Sequence, residues 1–256
     1  MNDWFEWNGV KCTTYGIHVS EHPPLTIPKE RVTHVTVPGR PGTVTITEGA
    51  DVYEDMALTV KCWMPDPSVF PAVAAWLKGR GTLTFANRQG GYYYARLSEE
   101  APFNRIMRGN AHVSFELTFL CSPPFWYADD VDDETYTPDQ QTGIIGAILE
   151  GEGTVYSEPL LALTGYGSID LSINDVTVRL DGLDGTIYLD CAAGIAYMLD
   201  GGEKVFAGSL VTLDDSQWPT LRGNEYYNQV GATPVTAEDD DSYVTSLVVS
   251  PRWRYL

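Results

Sequence analysis

The stretch Thr82-Leu83-Thr84-Phe85-Ala86-Asn87-Arg88-Gln89-Gly90-Gly91-Tyr92-Tyr93-Tyr94-Ala95-Arg96-Leu97 sets the character of the chain. Two runs of β-forming residues, Thr82 to Ala86 and Tyr92 to Leu97, flank the turn-rich Asn87-Arg88-Gln89-Gly90-Gly91, the pattern of a β-hairpin. Outward from it, strand-like runs occupy Val32 to Pro38, Thr43 to Thr47, Ala57 to Met64 and His112 to Leu120, most of them alternating or β-branched. A loop over Ser98 to Asn110, punctuated by Pro102 and Gly109, follows the hairpin.

One helix interrupts the strands, at Pro67 to Gly79. Ser68 as N-cap places Pro71 in the first turn, where its missing N–H has no intrahelical partner to lose. Phe70, Val73, Ala74 and Leu77 then form one apolar stripe, and Gly79 supplies a left-handed stop. The expectation is a helix near 69–78 lying on a sheet.

Between residues 128 and 143 the composition changes. Asp129-Asp130-Val131-Asp132-Asp133-Glu134 leads into Thr137-Pro138-Asp139-Gln140-Gln141-Thr142-Gly143, and like charges at that density oppose compaction. A linker over 129–143 is expected; the central Gly and closing Glu of an EF-hand are missing. Beyond it come short strand-like runs: Leu160 to Leu163, Ser168 to Ile173, Val176 to Leu180, Thr186 to Asp190, Ile195 to Leu199, Leu210 to Leu213, Glu225 to Asn228 and Tyr243 to Val249. Their spacing, with turns at Asn174-Asp175 and Asp200-Gly201-Gly202, argues a second β-sandwich. The fold class is therefore mainly β, with a first domain at 1–128 and a second at 144–256.

The chain has 256 residues and a formal net charge of -19, from 16 Lys+Arg against 35 Asp+Glu. Duplex binding works by neutralising phosphates, so nucleic acid is a poor ligand for so acidic a surface. Cys12, Cys62, Cys121 and Cys191 are scattered without a C-x-x-C pair and read as buried free thiols. The start Met1-Asn2-Asp3-Trp4-Phe5-Glu6-Trp7 lacks the basic and apolar regions of a signal peptide, and no segment has the length of a membrane span, so no membrane partner is expected.

Signatures of catalysis are missing. His18, His22, His34 and His112 do not make an H-E-x-x-H pair, and neither a G-x-S-x-G elbow nor a phosphate-cradling loop is present. Gly151-Glu152-Gly153-Thr154 starts like a dinucleotide loop but lacks its third glycine. Tyr92-Tyr93-Tyr94 and Trp218 could stack on a sugar, although alternate aromatics in strands more commonly pack a core. The charge-dense Glu238-Asp239-Asp240-Asp241 reads as solvated surface. No catalytic residue, metal or cofactor is expected. Arg40, held in the stiff Pro38-Gly39-Arg40-Pro41-Gly42 turn, is a candidate for pairing with an acidic neighbouring subunit.

The order of motifs resembles the distal tail proteins of long, flexible-tailed bacteriophages. The pieces are Phe5-Glu6-Trp7-Asn8-Gly9 with Tyr15-Gly16-Ile17-His18-Val19, Val37-Pro38-Gly39-Arg40-Pro41-Gly42-Thr43, Trp76-Leu77-Lys78-Gly79-Arg80-Gly81-Thr82-Leu83, Leu221-Arg222-Gly223-Asn224-Glu225 and the ending Pro251-Arg252-Trp253-Arg254. The resemblance implies a non-enzymatic hub: a hexameric ring built by the first domain, with a galectin-like second domain. It implies contact with the tail-tube protein, with a tail-associated lysin or tip protein, and in some cases with receptor-binding proteins. DNA would pass through the lumen as unbound cargo, the protein being assembled in the host cytoplasm and residing at the virion tail tip. Pro38, Gly39 and Arg40 are then candidates for the subunit interface. Arg252, Trp253, Arg254 and Leu256 are candidates for docking the terminus. The competing readings are a carbohydrate-binding module for host wall polymers and a wall hydrolase.

Overall fold

The structure, a computed structural model, describes residues 3–49, 51–98, 104–105, 112–235 and 241–256. The chain divides into one unit comprising residues 1–129 with Leu256 and another comprising 130–255.

The first unit contains β1 (Phe5–Trp7), β2 (Val10–Lys11), β3 (His18–Glu21), β4 (Val32–Thr36), β5 (Thr43–Thr47), β6 (Met56–Met64), α1 (Phe70–Trp76), β7 (Arg80–Phe85), β8 (Arg88–Leu97), β9 (Asn104–Arg105) and β10 (Val113–Ala128). Its main sheet runs β2-β1-β7-β8-β10-β6-β3, with β9 also on β10, while β4 and β5 form a separate two-stranded sheet. Strand period two decides which residues enter the core. Met56, Leu58, Val60, Cys62 and Met64 of β6 point inward, as do Val113, Phe115, Leu117, Phe119 and Cys121 of β10. The antiparallel register Leu117↔Val60 and Phe115↔Cys62 stacks these two rows side by side.

Four expectations change here. The helix is entered through a 3-10 turn, Pro67–Val69, and the Asp66 carboxylate, not Ser68, caps it by accepting the Ser68 N–H at 2.9 Å. The tighter turn lets the chain start at Asp66 and still bring Pro71 into the first turn of α1. Of the anticipated stripe, Val73 and Leu77 are buried, but Phe70 and Ala74 are exposed; Trp76 adds a stack on Phe5 at 5.6 Å and donates its indole N–H to the Trp7 carbonyl at 3.2 Å. The hairpin turn is two residues, Ala86 and Asn87, because Arg88 to Gly91 already belong to β8. Of the loop expected over Ser98 to Asn110, Asn104 and Arg105 pair with β10, and the rest, apart from Ser98, lies outside the described residues.

The second unit contains β11 (Glu134–Tyr136), β12 (Ile145–Glu150), β13 (Leu160–Ile173), β14 (Val176–Asp190), β15 (Ile195–Asp200), β16 (Glu203–Phe206), β17 (Val211–Leu213), β18 (Tyr227–Pro234) and β19 (Tyr243–Ser250). Six strands run in the order β11-β19-β13-β14-β15-β16; β12 joins through β18, β18 also pairs β13, and β17 pairs β14. The acidic segment expected to be linker includes a strand: Thr135 and Tyr136 suit a sheet edge, and β11 pairs β19. Pairs of runs read as separate strands are continuous in β13 and β14, where the glycines at 165, 167, 182 and 185 sit within the ladder and its register shifts at Gly167/Ile169. Such a bulge bends a strand without ending it. Strand β18 begins two residues later than expected, and β12 and β16 carried no expectation. The inward residues of these strands collect in one core, with Leu161, Leu163, Ile169, Leu171, Ile173, Leu180 and Leu189 fully buried. Of the run Glu238 to Asp241, only Asp241 lies within the described residues.

Candidate functional site

The β4–β5 ribbon places the Pro38-Gly39-Arg40 triplet at its tip. Val37 to Arg40 is a type II turn: Pro38 occupies the position whose fixed φ it matches, Gly39 takes φ 81°, and the Val37 carbonyl accepts the Arg40 N–H at 3.2 Å. Among the described residues no side chain pairs with the exposed Arg40 guanidinium. At the base, Lys29 pairs with Glu54 at 2.8 Å, and the backbone of Arg31 donates to Val52 at 2.9 Å.

The register gives the ribbon two unlike faces. Val35 lies opposite Val44 and Thr33 opposite Ile46, so these four share one side, while His34–Thr45 and Thr36–Thr43 share the other. The His34 ring and the Thr45 hydroxyl are hydrogen-bonded at 3.1 Å on the polar side. The apolar side is uncovered, with Ile46 52% and Val35 39% exposed. A two-stranded ribbon is marginal in water by itself, and an amphipathic one with an open apolar face has the composition of half an interface.

The terminal residues are engaged differently. Arg252 makes a two-pronged pair with Asp190, at 2.8 and 3.3 Å. Burial pushes the Asp190 carboxyl up, but the Arg252 guanidinium and the N–H groups of Ala193 and Ala192 outweigh it and hold the carboxyl below its ordinary range. Trp253 is 2% exposed and belongs to the second unit's core. Arg254, also buried, pairs with Glu158 and lies over the Tyr156 ring. The Ser157 hydroxyl donates to the Pro251 carbonyl at 2.8 Å. Leu256 groups with residues 1–129.

Two glycines let the Leu221–Glu225 and Pro251–Arg254 segments close on the backbone at residue 153. A Cβ on Gly223 would come within 2.2 Å of the Gly153 carbonyl oxygen, and one on Gly153 within 2.6 Å of the Arg254 carbonyl oxygen. The three backbones pass too closely for any side chain. Asn224 N–H donates to Gly153 at 2.6 Å and Glu225 N–H to Gly151 at 2.7 Å. Beneath them Asn228, fully buried, donates to the carbonyls of Leu149, Arg222 and Tyr226 and accepts from Arg222 N–H at 2.8 Å. A buried amide hub such as Asn228 has no local sequence pattern; Gly151-Glu152-Gly153, which starts like a dinucleotide loop, is part of this closure.

Other sequence candidates disperse. Tyr93 is buried, while Tyr92 and Tyr94 lie on the other side of β8 and pack on Tyr127 at 5.7 and 5.0 Å. The four cysteines are free and buried, and burial pushes their thiols up, Cys121 and Cys191 to about 12, which leaves them protonated and unreactive at neutral pH. Among the described residues no group of three His, Cys, Asp or Glu side chains could hold a metal ion, and no helix is long and apolar enough to cross a membrane.

Charge is divided unevenly. Residues 1–129 carry 13 Asp+Glu and 11 Lys+Arg, net -2; residues 130–256 carry 22 and 5, net -17.

No protein-family model matches the chain, and no curated protein matches it in sequence. Among solved structures, the crystal structure of the Dit (gp 19.1) protein of phage SPP1, titled a paradigm of the hub adsorption apparatus in Gram-positive-infecting phages, is similar with a TM-score of 0.70. The match is at 15% identity and covers 96% of this chain and 97% of that one. The chain therefore shares, over nearly its whole length, the fold of a phage distal tail protein.

Proposed function

We propose that the protein is a structural hub of a bacteriophage or prophage tail tip, and that its first domain assembles into a hexameric ring through the β4–β5 ribbon. The observation that carries this reading is the agreement of fold across both domains with a tail hub protein at almost complete mutual coverage. The ribbon supports it from the physical side, since its open apolar face and unpaired Arg40 would be completed by a neighbouring copy. The ring would join the tail-tube protein to a tip protein or tail-associated lysin, and receptor-binding proteins are further candidate partners. Its place would be the virion tail tip, after assembly in the host cytoplasm.

DNA would traverse the lumen unbound. Residues 1–129, which would build the ring, carry a net charge of only -2, so the acidity of the chain belongs mainly to the other unit. Negative-stain images and solution mass of the full chain test the reading. A closed ring of about six times 28.3 kDa supports it; a stable monomer that binds cell-wall polysaccharide would replace it with the carbohydrate-binding alternative.

A further inference from the structure

Strand β16 ends the strand order of the second unit, and among the described residues nothing pairs with its far edge. All four of its residues are exposed. Natural sheets blunt such edges, since unpaired N–H and C=O groups recruit other strands. Strand β16 is short and carries Glu203 and Lys204, yet it also presents apolar side chains: Phe206 is 74% exposed and Val205 50%, with Leu199 at 48% and Ile195 at 40% on the adjoining β15. The register Tyr197↔Phe206 puts Phe206 on the sheet face that also carries Ile195, Tyr197 and Leu199, where Tyr188 stacks on Tyr197 at 5.2 Å. The Phe206 ring lies over Gly208, where a Cβ would meet it at 2.2 Å, so the ring rests on the surface and not in the core.

A second observation concerns charge. Asp200 and Glu203 are direct cross-strand partners at the hairpin tip. Like charges so placed repel and destabilise a hairpin. The hairpin's own Lys204 is drawn over the Tyr197 ring at 4.2 Å, and the other four cations of residues 130–256 are paired with Asp170, Asp181, Asp175, Asp190 and Glu158. Among the described residues of 130–256, Asp200 and Glu203 therefore have no cation beside them.

We infer that the β15–β16 hairpin is a docking site for an extended segment of another protein in which basic and apolar residues alternate. The segment adds as a strand to the β16 edge, packs its apolar side chains on the face that carries Phe206 and Leu199, and sets a Lys or Arg on the opposite face beside Asp200 and Glu203. A second copy of this chain is the wrong occupant, because it would bring a domain of net charge -17 against its like. The inference does not rest on ring assembly.

The test uses the full chain and a short dye-labelled peptide of alternating Lys and Val, with a Glu–Val peptide as comparison, followed by fluorescence anisotropy. The Lys–Val peptide should bind and the Glu–Val peptide should not. Phe206→Asp and Asp200→Lys should each weaken binding by about tenfold or more, whereas Asp132→Lys, an equal charge change elsewhere on the same unit, should alter it less than about twofold. Equal losses in Asp200→Lys and Asp132→Lys would show diffuse attraction and overturn the site. So would unchanged binding in Phe206→Asp, absence of binding by the Lys–Val peptide, or self-association of the chain that Phe206→Asp abolishes.

Discussion

The β4–β5 ribbon and the closure around Gly153 both depend on glycines and arginines, and use them in opposite ways. At the closure Arg252 and Arg254 are paired with carboxylates of their own unit, and Gly153 and Gly223 are required because three backbones touch. At the ribbon no side chain among the described residues pairs with Arg40, and Gly39 is required by the turn. One region is complete within its unit; the other presents an exposed cation and an open apolar face. Residues of the first kind should govern stability, and those of the second should govern assembly.

The largest effect on stability belongs to the closure. Gly223→Val puts a branched side chain against backbone that cannot move cheaply, and should cost roughly 3 kcal/mol or more of the second unit's stability. Urea unfolding followed separately in the two units would check it, with the first unit's transition unmoved. Arg254→Met comes next, at about 3 kcal/mol, because it leaves Glu158 partly buried without its cation. Acid gives a graded version of the same test. The folded Asp190 carboxyl lies below its ordinary value, so its contribution is fully present above the unfolded value of about 3.9 and is lost as pH falls through the lower folded one. Thermal unfolding from pH 5 downward should show this loss, and Arg252→Met should remove that share of the pH dependence.

The smallest effect on stability, and the sharpest contrast, is expected at the ribbon tip. Arg40→Glu should leave the far-UV spectrum and unfolding midpoint unchanged while weakening assembly, read by sedimentation. A destabilised subunit with normal assembly would erase the distinction between the two regions.

Alternation made most of the first unit's strands legible, because β6, β8 and β10 each have one face in a single core. Strand ends were less legible. Gly167 and Gly182 look like breaks but are accommodated inside long bent strands, since a ladder can absorb an extra residue where its partner strand continues. A start at Asp66 conflicts with Pro71 if the helix is α from its first residue, and the 3-10 turn that reconciles the two has no separate composition. The Pro38-Gly39-Arg40 tip was readable, since Pro and Gly encode a type II turn locally. The openness of Val35 and Ile46 was not, because β-branched residues in a hairpin read equally as core. The terminal arginines were visible, but their partners, Asp190 and Glu158, are 62 and 96 residues away in sequence.

Amide hydrogen exchange over residues 32–47, measured at concentrations below and above assembly of the full chain, tests the central claim most directly. The ribbon amides should exchange readily in dilute protein and become protected as the ring forms, with Arg40→Glu delaying that protection to higher concentration. A ring that forms while the ribbon amides exchange as fast as before would contradict the account.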